Sequence, residues 1–96
     1  MKTASDTARL LRIHGTVQGV GYRNAFHAQA RQLGLAGWVR NRLDGTVEAL
    51  VAGPAAAIDT IIEWARRGPP AARVSRVEWE TAEPPESPVF SRVDTV

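Results

Sequence analysis

The stretch Gly15–Arg23, which reads GTVQGVGYR, decides the fold of this 96-residue chain. Leu11 and Ile13 before it alternate with polar residues as in a strand, and the residues after it follow a helical pattern. The stretch is therefore a strand-to-helix turn that carries three glycines. Glycine tolerates positive φ, so successive backbone N–H groups in such a turn can converge on one anion. The first turn of the following helix adds unpaired N–H groups and the positive end of the helix dipole.

The turn ends in Arg23, which lies at the start of the predicted helix. A guanidinium in that position can grip two oxygens of a phosphoryl group, a contact of roughly 1.5–3 kcal/mol. A glycine-rich turn taken alone is equally well explained as a tight strand–helix connection without a ligand. Neither common nucleotide signature is present, because the chain has no Gly-Lys-Ser/Thr of a P-loop and its glycines lack the dinucleotide-binding spacing.

Working outward from the turn, hydrophobic periodicity predicts four strands and two helices in the order βαββαβ. The predicted strands are Arg9–Gly15, Ala36–Asn41, Thr46–Ala52 and Val74–Glu80, with Val89–Val93 as a possible short fifth strand. The first helix carries the stripe Tyr22, Phe26, Ala30 and Leu33, and the second carries Ile58, Ile61, Ile62 and Ala65. The dipeptide Asp44-Gly45 predicts a two-residue hairpin turn.

This element order predicts an α+β protein, the ferredoxin-like sandwich, in which two helices pack on one face of an antiparallel sheet. We expect one domain over residues 1–96, in which residues 1–8 form a flexible tail. The segment Met1–Ala8 has no apolar run, so we expect neither a signal peptide nor a membrane anchor there. Strands joined by a crossover helix run parallel, so the first two strands end at the same edge of the sheet. Arg23 and Asn41 are then expected to face one another across a ligand.

The composition excludes several kinds of chemistry. The chain has no cysteine, which excludes disulfides, thiolate metal sites and a cysteine nucleophile, and fits a cytoplasmic protein. Eleven of the twelve basic residues are arginine, yet the net charge is only +2. We expect no metal, no cofactor, and neither a nucleic acid nor a membrane as partner.

A second informative string is Gly37–Glu48, which reads GWVRNRLDGTVE. Together with Gly15–Arg23 it resembles the acylphosphatase family, and the likeness extends from about Leu10 to Phe90. The resemblance implies a monomeric enzyme that hydrolyses a small-molecule acyl phosphate, the mixed anhydride of a carboxylic acid and phosphoric acid. It also implies that the carboxamide of Asn41 holds the attacking water, since that amide offers both donors and an acceptor.

The residues present suit this chemistry. A carboxylate leaves as the anion of an acid with a pKa near 4 or 5, so no general acid is needed. A loose phosphoryl-transfer transition state asks little of the nucleophile, and the substrate phosphate can accept the proton of the water. The site must then supply positioning and charge stabilisation, which we assign to Arg23 and a backbone cradle. The cradle residues are Gln18, Gly19, Val20, Gly21 and Tyr22.

Three other interpretations remain open at this stage. The same element order occurs in RNA-binding RRM domains, but the strand around Val47–Val51 carries no aromatic side chain. A non-catalytic module that only binds phosphate or acyl phosphate would need the cradle and Arg23 but not Asn41. Phosphohistidine chemistry at His14 or His27 is the third, and neither histidine has an evident carboxylate partner in the sequence. Glu48, Glu78 and Glu80 are interpreted as solvated positions on strand faces.

Overall fold

A computed structural model describes residues 6–96 of the chain. Its elements are β1 (Asp6–Thr16), α1 (Tyr22–Gln32), β2 (Ala36–Asn41), β3 (Val47–Pro54), α2 (Ala55–Arg67), β4 (Arg73–Thr81) and β5 (Phe90–Arg92). The predicted βαββαβ order is confirmed. The fifth strand is present and is shorter than the Val89–Val93 we expected.

The five strands form one sheet in the order β4-β1-β3-β2-β5. Both β1 and β2 pair with β3 in antiparallel fashion, so β1 and β2 run in the same direction. Val47 of β3 is opposite Ile13 on one side and Asn41 on the other. The carboxyl ends of β1 and β2 therefore meet at one edge of the sheet, as the crossover argument predicts.

Three expectations need correction. The sheet is mixed and not purely antiparallel, because β5 pairs with β2 in parallel. After β4, which runs antiparallel to β1, the chain crosses to the opposite edge of the sheet and reverses its direction to form β5. Strand β1 begins at Asp6, so residues 6–8 extend a strand paired with β3 and are not a loose tail. The remainder of that expected tail, residues 1–5, lies outside the described residues.

The third correction concerns the β2–β3 hairpin. The backbone N–H of Arg42 donates to the carbonyl of Thr46 at 2.8 Å, and that of Gly45 donates to the carbonyl of Arg42 at 3.0 Å. Gly45 has a φ of 94°, so the connection is a three-residue loop with glycine in the left-handed region. Asp44 accepts from the backbone and hydroxyl of Thr46 at 3.0 and 2.7 Å and so stabilises the turn instead of forming a two-residue loop.

Both helices pack on one face of the sheet, as predicted, and bury their apolar stripes against it. The ring of Phe26 lies between those of Trp64 and Phe90, with centroid distances of 5.8 and 6.0 Å. These contacts fix α1 against α2 and against the edge strand β5. None of the helices within residues 6–96 combines the length and hydropathy that a membrane crossing requires.

Candidate active site

A cavity of about 280 Å³ opens where β1 ends, α1 begins and β2 ends. Its lining residues are Val17, Gln18, Gly19, Gly21, Tyr22, Arg23, Asn24 and Asn41. The fold thus brings Arg23 and Asn41, separated by eighteen positions in the sequence, into one pocket. Val17 and Asn24 also line it and were not singled out by the sequence patterns.

The turn before α1 needs glycine for its backbone conformation. Gly19 and Gly21 have φ values of 75° and 81°, in the left-handed region where a side chain costs about 1–2 kcal/mol. A β-carbon built on either residue would have no atom within 4 Å. Glycine is therefore required by the backbone conformation of the turn and not by a close contact, and the space beside both glycines is open.

The amino terminus of α1 is uncapped by the protein. Gly21 is the N-cap residue, no side chain bonds to the free N–H groups, and the first turn contains no acidic residue. The first N–H groups of a helix have no partner within the helix and carry the positive end of its dipole. This helix terminus is suited to an anion that comes from outside the chain.

Two buried polar atoms at this cavity, Nε of Arg23 and Oδ1 of Asn41, have no hydrogen-bond partner among residues 6–96. Leaving such an atom unpaired costs about 1–3 kcal/mol, so native proteins rarely do it without a reason. One atom is a charged donor and the other is an acceptor. A phosphate oxygen and a water molecule would satisfy these two atoms if the side chains turned towards the cavity.

The side chain of Gln18 forms hydrogen bonds to the β2–β3 hairpin. Its Nε2 donates to the carbonyl oxygens of Arg42 at 2.7 Å and Thr46 at 2.9 Å. The glycine turn is thereby fixed beside the residue that follows Asn41. Sequence reasoning assigned only the backbone of Gln18 to the site, because nothing local in the sequence predicts these partners.

Two of the predicted cradle residues have their side chains directed elsewhere. Tyr22 is buried, its hydroxyl donates to the carbonyl of Ala65 at 2.7 Å, and burial raises the pKa of that hydroxyl. Its ring also packs 5.5 Å from that of Trp64, which leaves only the backbone of Tyr22 for the cradle. Val20 packs partly buried against the core and is not among the residues that line the cavity.

On the open face of the sheet, Glu48 corrects the expectation of a solvated carboxylate. It is only 5% exposed, and its Oε1 accepts from Nε of Arg40 and Nη1 of Arg42, each at 2.9 Å. Arg12 approaches Oε2 at 3.5 Å. Burial by itself would raise the pKa of Glu48, but the bonds from Arg40 and Arg42 outweigh it, so this pKa lies below its usual value.

The two histidines lie away from the cavity. His14 has a carboxylate partner after all, since its Nε2 is 2.7 Å from Oε1 of Glu78 on the neighbouring strand. Nε2 of His27 is 3.2 Å from the carbonyl of Phe90 in β5. Neither residue lines the pocket that contains Arg23. Within residues 6–96, no three His, Asp or Glu side chains are grouped as a metal site would require.

This topology places the chain among the ferredoxin-like α+β proteins. The profile of the acylphosphatase family matches residues 10–91, and the chain belongs to that family. It is 56% identical over 64 residues to a protein named acylphosphatase from Acidovorax sp. (strain JS42). The aligned part covers 67% of this chain and 66% of that relative's length.

Solved structures agree with this assignment. The structure of an acylphosphatase from Coxiella burnetii has a TM-score of 0.88 and 35% identity, and the alignment covers 93% of this chain and 94% of that one. A structure of full-length HypF in the phosphate- and nucleotide-bound form has a TM-score of 0.87 and 27% identity. That alignment covers 98% of this chain but 13% of HypF, so the fold also occurs as part of a much larger protein.

Proposed function

We propose that this chain is an acylphosphatase, which cleaves the bond between the carboxyl group and the phosphate of an acyl phosphate. The observation that carries the proposal is the pair of buried, unpartnered atoms, Arg23 Nε and Asn41 Oδ1, beside an uncapped helix terminus. Membership of the acylphosphatase family and the likeness to the Coxiella burnetii acylphosphatase support the same activity.

In this proposal, the phosphate of the substrate occupies the cavity at the start of α1. The backbone N–H groups between Gln18 and Tyr22 surround it, and the guanidinium of Arg23 pairs with its oxygens. These donors are fixed before the substrate arrives, so they stabilise charge on the equatorial oxygens with little reorganisation. Loss of one such donor usually lowers the rate by about 10²–10³.

The nucleophile is a water molecule held by the carboxamide of Asn41. The unpartnered Oδ1 accepts a hydrogen bond from that water and turns its lone pair towards phosphorus. As the oxygen of the water bonds to phosphorus, its proton passes to a phosphate oxygen and the bond to the acyl oxygen breaks. The products are a carboxylate, which leaves without protonation, and inorganic phosphate.

The proposal also covers the oligomeric state, the cellular location and the need for a metal, cofactor or nucleic-acid partner. We assign the protein a monomeric state. The absence of cysteine is compatible with the cytoplasm. The reaction as written requires neither a metal nor a cofactor, and the proposal includes no nucleic-acid partner.

The test is hydrolysis of benzoyl phosphate by the purified chain, with EDTA present, beside the Asn41→Ala and Asn41→Asp variants. We expect rapid turnover by the native chain and a loss of about 10²–10³ in rate in Asn41→Ala, with the affinity for inorganic phosphate retained. The Asn41→Asp variant has nearly the same shape, but its negative charge should weaken phosphate binding as well. Phosphate binding without turnover above background in the native chain would favour the non-catalytic binding module instead.

A further inference from the structure

A second cation, Arg92, contacts a residue of the cavity wall. Nη1 of Arg92, in the edge strand β5, donates to Oδ1 of Asn24 at 2.7 Å. Asn24 follows Arg23 on α1 and lines the same cavity. The exposed guanidinium of Arg92 is thus joined to the wall of the proposed active site by one hydrogen bond.

The charge of Arg92 is not neutralised by this contact. Its partner is a neutral amide, and among residues 6–96 no carboxylate forms an ion pair with it. In contrast, Arg40 and Arg42 each form an ion pair with the carboxylate of Glu48. Arg92 therefore contacts Asn24 through one hydrogen bond, and no carboxylate of the described residues neutralises its positive charge.

The pair formed by Asn24 and Arg92 offers mainly donors. Oδ1 of Asn24 accepts from Arg92, which uses one of its two lone pairs, and the two hydrogens of the amide nitrogen remain. Arg92 retains four of its five N–H groups. A site in which several donors and a positive charge outweigh one remaining lone pair favours an acceptor group, and most strongly an anion.

The distance to the phosphate fits an acyl substituent. A phosphate oxygen bonded to the free backbone N–H of Asn24 would lie roughly 10 Å or less from Nη1 of Arg92, counting two hydrogen bonds and one asparagine side chain. The Debye length is about 8 Å at physiological salt, so a negative group on the acyl part is attracted by Arg92 only if it comes closer to the guanidinium than the phosphate does. A benzoyl ring with a carboxylate at its far end has a length of this order.

We propose that Asn24 and Arg92 form an acyl-group subsite that selects acyl phosphates whose acyl part carries a carboxylate. This inference rests on the proposed acylphosphatase function and names its substrate class. Arg92 is a specificity residue in this scheme: it contacts the acyl substituent and does not touch the reacting phosphorus. Because the guanidinium is exposed, the expected discrimination is modest, about fivefold, and it decreases as salt is added.

The experiment compares 4-carboxybenzoyl phosphate with 4-carbamoylbenzoyl phosphate, which has the same shape without the charge. The ratio of kcat/KM for the two substrates is measured for the native chain, Arg92→Gln and Arg92→Lys. Glutamine can still donate to Asn24 without the charge, so we expect Arg92→Gln to lower the ratio about fivefold and Arg92→Lys to retain most of it. Arg31→Gln removes the same charge at the far end of α1 and should leave the ratio unchanged.

An unchanged ratio in Arg92→Gln, which includes an equal loss for both substrates, would overturn the subsite. Binding of the matching acyl phosphonates, which cannot be hydrolysed, gives the same comparison by calorimetry without turnover. A native chain that hydrolyses neither acyl phosphate but prefers the carboxylated phosphonate through Arg92 would refute the enzyme and keep the subsite. Hydrolysis of both acyl phosphates with no preference would do the reverse.

Discussion

Gln18 binds the carbonyl oxygen of Arg42 through its side-chain amide at 2.7 Å. The glycine turn and the β2–β3 hairpin are thus joined at the residue next to Asn41. The same amide nitrogen also donates to the carbonyl of Thr46 at 2.9 Å, so two hydrogen bonds attach the turn to the hairpin. The side chain of Gln18 thus adds to the sheet pairing a direct link between the phosphate cradle and the hairpin that follows the proposed water-holding residue.

We expect Gln18→Ala to lower kcat for benzoyl phosphate by about tenfold to a hundredfold, because a small displacement of a positioned water is costly. The two carbonyls would turn to water, so the free energy of unfolding should fall by only about 1 kcal/mol. The matched control is Gln32→Ala at the exposed end of α1, which should change neither quantity. Equal activity of Gln18→Ala and the native chain would show that the attachment does not position the site.

Arg23→Ala is expected to differ from Asn41→Ala. Loss of the guanidinium should weaken inorganic phosphate binding and also reduce the rate by about 10²–10³, because the same group binds the ground state and the transition state. Calorimetry with phosphate and steady-state kinetics measure the two effects, with Arg31→Ala as the matched arginine control. Normal phosphate affinity in Arg23→Ala would contradict its assignment to the cradle.

Tyr22→Phe separates packing from chemistry at the cradle. The hydroxyl of Tyr22 satisfies the carbonyl of Ala65 in the last turn of α2, where carbonyls have no partner within the helix. Removing it should lower the free energy of unfolding by about 1 kcal/mol, measured by urea denaturation. Hydrolysis should stay within twofold of the native value. A large loss of kcat at unchanged stability would indicate that the hydroxyl takes part in the reaction.

Glu48 predicts a pH dependence of stability. Its pKa in the folded protein lies below the unfolded value of about 4.3, so its stabilising contribution is complete above that value. The contribution is then lost as the pH falls through the folded pKa. Glu48→Gln should cost about 2 kcal/mol at pH 7, less than a fully buried pair because the three arginines are partly exposed.

The difference between the native chain and Glu48→Gln should shrink as the pH falls below the unfolded pKa of about 4.3 and through the lower pKa of the folded protein, where Glu48 becomes neutral. Urea unfolding at pH 7 and pH 3 measures it. Glu80→Gln, on the exposed face of β4, is the control and should change stability little at either pH. A penalty for Glu48→Gln that stays constant down to the lowest pH at which the chain remains folded would mean that shape, not charge, accounts for it.

The sequence by itself determined the element order, the glycine turn and the approach of Arg23 to Asn41. Each of these follows from local rules: period-2 and helical patterns, the left-handed φ at Gly19 and Gly21, and the parallel direction imposed by a crossover helix. The segment that pairs as β5 was also predicted, although not its parallel direction. Such rules need only a residue and its near neighbours in the chain, so these features can be predicted from the sequence.

Only the tertiary structure decided which distant side chains meet. Glu48 alternates along β3 like any solvent-facing residue, but the register with β2 places Arg40 opposite it and buries the carboxylate. The contacts of Gln18 with the hairpin and of Arg92 with Asn24 span 24 to 68 positions. Such partners depend on strand register and helix packing, which are set by the whole core at once, so no window of sequence specifies them.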